Sequence, residues 1–299
     1  MASWIRRKLI RFGATTAALA LGAATLAGCS QVPEAGEGGT LQRLRDAGTV
    51  KIGIAGEVPY GYTENGEVTG EAPEVAKAVF AAMGIDNVDA TQVEFSQLIP
   101  ALNAGQYDMV AAGMAILPNR CANAQFSAVD YVTPTAMLVP QGNPQNVNTF
   151  DDIKAKGLPL AVLSGTVEEA VAQSLGIPAN LIQPYQGQPE MLQALLDGRA
   201  YAGALTDISL RRMLADNPGV PLQVTEGFVP VVDGKEQIQA GGFVFRKGDD
   251  ELVEEFNAKL KDLHTSGDWL RIVEPFGFTE DNVPPEDVTT QQLCEAEPS

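Results

Sequence analysis

The sequence predicts an α/β protein built as two successive units. Three observations carry that expectation. From Gly48 onward, short apolar runs of strand length alternate with amphipathic stretches of helix length. The alternation restarts after a cluster of breakers at Pro140, Gly142 and Pro144. Strand-helix-strand order calls for parallel strands with crossover helices, so each series builds its own sheet.

The first series opens with an apolar strand over 49–55 that ends in the polar loop Gly56-Glu57. A helix is expected over 73–83, because Val75, Ala76, Val79, Phe80 and Met83 recur on one face and proline suits a first turn. A strand over 88–95, a helix over 96–104 stopped by Gly105, and a strand over 107–112 complete it. The second series reads as a strand over 158–163, a helix opened by Ser164, Gly165 and Thr166, and a short strand over 181–184. A helix over 188–197, a strand over 200–205 and a helix over 207–215 follow. A further strand over 239–245 and a helix over 250–264 come last, the helix burying Leu252, Val253, Phe256, Leu260 and Leu263. If they pack on the first unit, the chain crosses between units more than once.

Composition narrows the function. Of 299 residues, 45% are hydrophobic, which supplies an ample core and argues against disorder. The formal charge is −18; beyond the first 28 residues, 16 bases face 38 acids and the charge is −22. Such a chain repels phosphate backbones and anionic headgroups, so nucleic acid is not expected as a partner. The single histidine, His264, argues against a His-rich metal site or a His-based triad. It sits near a helix end with Lys259 and Lys261, where positive charge suits the dipole. No metal, cofactor or catalytic residue is expected.

Residues 5–28 read as an export signal. Arg6, Arg7 and Lys8 precede an uncharged run over 13–27, whose roughly 15 mostly small residues are short for a bilayer core of ~30 Å. Leu26, Ala27, Gly28 and Cys29 resemble a bacterial lipobox, which implies cleavage before Cys29 and acylation of its thiol. The Arg6-Arg7 pair resembles a twin-arginine signal, with Sec export the default. Residues 29–40 are polar and Gly-rich, as a flexible tether should be. The expected location is extracytoplasmic, lipid-anchored to the cell membrane or periplasmic. In that oxidising compartment Cys121 and Cys294 are expected to pair. A bridge closing so long a loop is worth at most about 5 kcal/mol.

Several segments in order resemble solute-binding proteins of the polar amino-acid ABC importer family. They are Tyr60-Gly-Tyr62, the run from Phe95 to Leu102, Gly105 to Asp108, Ala112 to Met114 with Arg120, Phe126-Ser127, and Ser164 to Thr166. Residues 66–76 and the Arg120-Cys121 pair are closer still to the ectoine- and hydroxyectoine-binding members. The resemblance implies a two-lobed, type II periplasmic-binding-protein-like fold with two hinge strands. Lobe one would be 41–134 with 242–299, and lobe two 140–237. It also implies a monomer that closes on a small zwitterion and hands it to a membrane permease.

The cleft residues follow from the same resemblance and from their chemistry. Arg120 stands at the family's carboxylate-binding position, and its planar donor edge fits a carboxylate. Gly165 and Thr166 would offer backbone N–H groups and a hydroxyl to the same anion from lobe two, or cap a helix only. Asp207 would meet an ammonium, or serve as a helix N-cap. Glu57, Tyr60 and Phe95 would hold a delocalised cation, each ring adding about 0.5–2 kcal/mol, with core packing the alternative for the two rings. Ectoine, a cyclic amidinium with one carboxylate, fits that set. The ectoine binders lead one to expect a third aromatic between Gly113 and Pro118, where this chain has Met114, Ala115, Ile116 and Leu117. Met114, Tyr62 or Tyr185 would have to fill the gap. Three other readings remain: a polar amino-acid receptor, a sensor module, and a secreted dehydratase on this fold with Glu57 or Asp207 as general acid.

Overall fold

The computed structural model describes residues 39–296. The export signal and Cys29 lie outside the described residues, as does most of the expected tether. Strand β1 (Thr49–Ile54) buries Val50, Ile52 and Ile54. A hairpin unforeseen from sequence, β2 (Tyr62–Glu64) with β3 (Glu67–Thr69), delivers the chain through Gly70 to the helix Glu71–Ala82. Strand β4 (Asn87–Gln92) pairs parallel with β1. Phe95 lies beyond that strand, opening the 3₁₀ turn Phe95–Gln97 that leads into the helix Leu98–Asn103. Strand β5 (Met109–Ala115) pairs parallel with β1 on its other edge and runs three residues past the expected end at 112. Two short strands, β6 (Gln125–Phe126) and β7 (Tyr131–Thr133), end this passage.

After Pro134 the chain enters a second sheet. Its strands are β8 (Thr135–Pro140), β9 (Leu160–Leu163), β10 (Ile182–Tyr185), β11 (Ala202–Thr206) and β12 (Leu222–Val224). They lie in the order β10-β9-β11-β8-β12, with β9 parallel to β10 and β11 and with β8 antiparallel to its neighbours. Alternation along the strands fills two cores. Met137, Val139, Leu160 and Val162 pack with the helices Phe150–Lys156 and Val167–Ser174. Ala136, Leu138, Ala161 and Leu163 pack with the helices Gln188–Leu196 and Asp207–Asp216.

A small hairpin, β13 (Val231–Val232) with β14 (Lys235–Glu236), precedes the return. Strand β15 (Gln239–Phe245) then enters the first sheet, antiparallel to β5, and pairs with β6 and β7 on its other edge. The first sheet therefore reads β4-β1-β5-β15-β6. Phe243 and Phe245 face the core under the helices Glu71–Ala82 and Asp250–Ser266, while Val244 faces the core of Leu98, Leu102 and Val110. Two passages thus connect two sheets, one at Pro134 and one just before Gln239.

Residues 280–296 are tied to the first lobe by more than the bridge. Cys294, in the helix Thr290–Glu295, is bonded to Cys121 with the Cα atoms 5.6 Å apart. Thr290 Oγ1 also donates to Ser127 O at 2.7 Å, and Asn282 Nδ2 to Val132 O at 2.9 Å. Among the described residues no helix is long and apolar enough to cross a membrane.

Candidate ligand-binding cleft

Loops at the carboxyl ends of β1, β4, β5 and β9, with the last residue of β11, converge on one cavity between the sheets, as expected for parallel strands. They bring Glu57, Phe95, Arg120, Thr166 and Thr206 to its walls, joined by Tyr60, Glu168 and Gln239. Only about 30 Å³ is open to the centres of water molecules. That suits about two waters, so the walls must part to admit an amino-acid-sized solute.

Arg120 stands on the single-turn helix Pro118–Cys121, just past β5. Its Nη1 donates to Ala115 O and its Nη2 reaches across to Gly165 O, both at 2.8 Å. The guanidinium lies 5.3 Å from the Phe95 ring centroid. One face of Phe95 therefore supports the arginine. Burial lowers the Arg120 pKa to about 10, opposed by Tyr131 and Glu168, so it stays charged at neutral pH.

Two carboxyl groups share the cavity. Glu57 follows β1 and accepts from Ser209 Oγ of the other lobe at 2.7 Å. Burial pushes it up to about 7, against the Ser209 hydrogen bond and with help from the like charge of Glu168. Glu168 is buried near the start of the helix Val167–Ser174 and accepts from Gln239 Nε2 at 2.7 Å. Its pKa is raised by burial, with the Gln239 hydrogen bond and Arg120 pulling the other way.

Tyr60 is 1% exposed, its ring tilted against Tyr131 at 5.2 Å and edge-to-face with Phe278 at 5.7 Å, and its hydroxyl donates to Thr206 Oγ1 at 3.2 Å. Gly113 makes room for it: φ there is +62°, and a Cβ would lie 2.2 Å from the Tyr60 ring. Tyr60 is both a core residue and a cavity wall.

The other expected positions need correction. At the start of the Val167–Ser174 helix two of the expected donors are already engaged: Gly165 N–H donates to Glu169 Oε2 at 2.7 Å, and the Thr166 hydroxyl to Leu163 O at 2.8 Å. Two glutamates just inside the helix already meet its positive end. Met114 is not a cavity wall but 2% exposed in the first lobe's core, because one step along β5 reverses the face and Ala115 meets the cleft instead. Tyr62 and Tyr185 are not among the lining residues either. Asp207 lines a separate surface groove, where Oδ1 accepts from Thr133 Oγ1 at 3.2 Å and Oδ2 pairs with Arg211 at 3.3 Å. Helical spacing explains it: Thr206 and Ser209 share the face turned to the cleft, and Asp207 lies off that face.

Sequence reasoning missed Glu168, Thr206, Ser209 and Gln239. Gln239 left a signal, a lone amide heading the apolar run 239–245. Glu168 left none, since an acid in a first helical turn is ordinary.

Two lobes, two connections and a polar cavity at the strand ends define a binding protein of the type II periplasmic fold. Residues 50–279 match the family described as bacterial extracellular solute-binding proteins, family 3, and the chain belongs to that family. A probable amino-acid ABC transporter periplasmic-binding protein of Sinorhizobium fredii (strain NBRC 101917 / NGR234) is 32% identical over 85% of this chain and 86% of its own. The arginine-binding extracellular protein ArtP of Bacillus subtilis (strain 168) is 27% identical over 70% of this chain and 78% of its own. Among solved structures, that of EhuB in complex with hydroxyectoine superposes with a TM-score of 0.77 at 29% identity, covering 86% of this chain and 98% of that one.

Proposed function

We propose that this chain captures a small solute with one carboxylate and one delocalised cation, ectoine or hydroxyectoine first, and presents it to the permease of an ABC importer. The observation that carries this reading is one arginine and two carboxyls of opposite lobes, Arg120 with Glu57 and Glu168, in a single cavity beside the Tyr60 and Phe95 rings. The solute carboxylate takes over the Arg120 donors that now serve Ala115 O and Gly165 O. A charge-assisted pair of N–H···O⁻ bonds is stronger than those to neutral carbonyls. The cation lies between Glu57, as first expected, and Glu168, which assumes the role first expected of Asp207. No step in this account makes or breaks a covalent bond of the solute: the chain binds and releases. It acts as a monomer, held to the membrane by a lipid on Cys29.

One observation favours a second reading, a cationic amino acid such as arginine. Two ionised carboxylates against one arginine leave the cavity one negative charge in excess, which a solute of net charge +1 cancels. A neutral zwitterion fits the same balance only when one carboxyl keeps its proton, and burial favours that form at Glu168, leaving Glu57 to meet the cation ionised. The likeness to EhuB supports the first reading and the likeness to ArtP the second. Calorimetric titration with ectoine, hydroxyectoine, L-arginine, L-glutamine and glycine betaine decides. Tight binding of ectoine or hydroxyectoine carries the first reading, and L-arginine alone carries the second. Binding of glycine betaine as tight as that of ectoine would remove the two-carboxyl seat, because a quaternary ammonium donates no hydrogen bond.

A further inference from the structure

The loop from Gly56 to Gly61 carries Glu57 and Tyr60 and is closed by its own backbone, with Gly56 N–H donating to Gly61 O at 2.8 Å and Gly61 N–H to Glu57 O at 3.0 Å. Val58 at its tip finds its partners in the other lobe. Val58 N–H donates to Gln188 Oε1 at 3.0 Å, and Gln188 Nε2 donates back to Val58 O at 2.8 Å. A primary amide is the side chain that can donate and accept across one peptide unit in this way. Gln188 is the first residue of the helix Gln188–Leu196 and is 8% exposed. It is not among the residues lining the cavity.

We propose that Gln188 is an interlobe latch: a positioning residue that stabilises the closed form through Val58 and touches no solute. Three other hydrogen bonds between the lobes involve groups on the cavity wall, while the Thr133–Asp207 pair lies beside the passage at Pro134. Arg120 reaches Gly165, Glu57 meets Ser209, and Tyr60 meets Thr206. Breaking any of them alters the solute's seat. Breaking the Gln188–Val58 pair leaves that seat intact and removes two hydrogen bonds that exist only when the lobes are together. A contact made in one of two states shifts their ratio by its differential free energy. Losing two net hydrogen bonds lowers the closed-to-open ratio about tenfold. Because closure bears equally on every solute, affinity falls by one common factor, up to that size, and relative preference stays as it was.

The test compares the wild type with Gln188→Met, which keeps the bulk and loses both bonds, and Gln188→Glu, which keeps the acceptor for Val58 N–H and loses the donor. The interlobe distance distribution of the ligand-free protein is read by pulsed electron paramagnetic resonance, with one spin label on each lobe. The expected order of closed fraction is wild type, then Glu, then Met. A closed fraction unchanged in both variants overturns the latch. Titration with ectoine, hydroxyectoine and L-arginine adds a second readout, and a change in their relative affinities also overturns it by making Gln188 a solute contact. This second readout rests on the solute-binding reading. The first does not, so failure of all three solutes to bind would count against that reading and leave the distance measurement to judge the latch.

Discussion

In the proposed seat, Glu57 and Arg120 are the single residues whose chemistry governs binding. Glu57 is displaced from the ordinary carboxyl value of 4.5 to about 7 by burial. Between those values the folded, ligand-free protein holds a proton that the unfolded chain has released. Its contribution to stability is complete below about 4.5 and is lost as the pH rises through about 7. Glu168 is shifted in the same direction. The melting temperature of the free protein should therefore fall from about pH 5 to about pH 8, and Glu57→Gln should flatten part of that slope. Solute binding has the opposite sign. A cation seated on Glu57 needs it ionised, so affinity should weaken below about pH 7, by up to about tenfold per pH unit, and Glu57→Gln should bind weakly with little pH dependence. Calorimetry across that range checks it, and an affinity that improves on acidification would remove Glu57 from the cation seat. Arg120→Ala should weaken binding about a hundredfold without unfolding the protein, and Arg120→Lys should recover part, since lysine keeps the charge but not the planar fork.

At the scale of elements, the sequence was legible where a residue's position depends on the strand-end rule and illegible where it depends on rotation about an axis. Glu57 and Arg120 were placed by the family resemblance, and the placement holds because loops after parallel strands face the cleft whatever their local conformation. Asp207 and Met114 could not, because a one-residue step turns a side chain about 100° around a helix or to the opposite face of a strand. The same limit hid Thr206 and Ser209. The hairpin of β2 and β3 escaped for another reason: its strands are three residues each, too short for alternation to register. The helix that bears Arg120 shows why the tail matters. Pro118–Cys121 is a single turn, too short to hold itself, and the disulfide fastens the helix Thr290–Glu295 to it. Cys294→Ser should lower stability by about 2–4 kcal/mol, read by denaturant titration. It should also weaken solute binding, because Arg120 is the neighbour of Cys121. Unchanged affinity in a destabilised Cys294→Ser protein would show that the one-turn helix holds its arginine without the bridge.

For the molecule as a whole, the decisive property is that neither sheet holds a complete site. The first lobe supplies Glu57, Phe95 and Arg120, the second Thr166, Glu168 and Thr206, and Gln239 stands where the chain returns between them. A solute that bridges both lobes binds only the closed, folded protein and so stabilises everything that must be intact for closure. At a hundred times its Kd, a solute adds about 2.7 kcal/mol to stability. That corresponds to about a hundredfold slowing of amide exchange wherever exchange requires unfolding. The protection should appear equally in β1 of the first sheet and β9 of the second, whose ends carry opposite walls of the cavity, though they share no hydrogen-bonded ladder. Exchange measured by mass spectrometry with and without saturating solute checks this. Protection confined to β9 and its helix Val167–Ser174 would mean that one lobe grips the solute alone, and the closure geometry drawn from Arg120, Glu57 and Glu168 would fail with it.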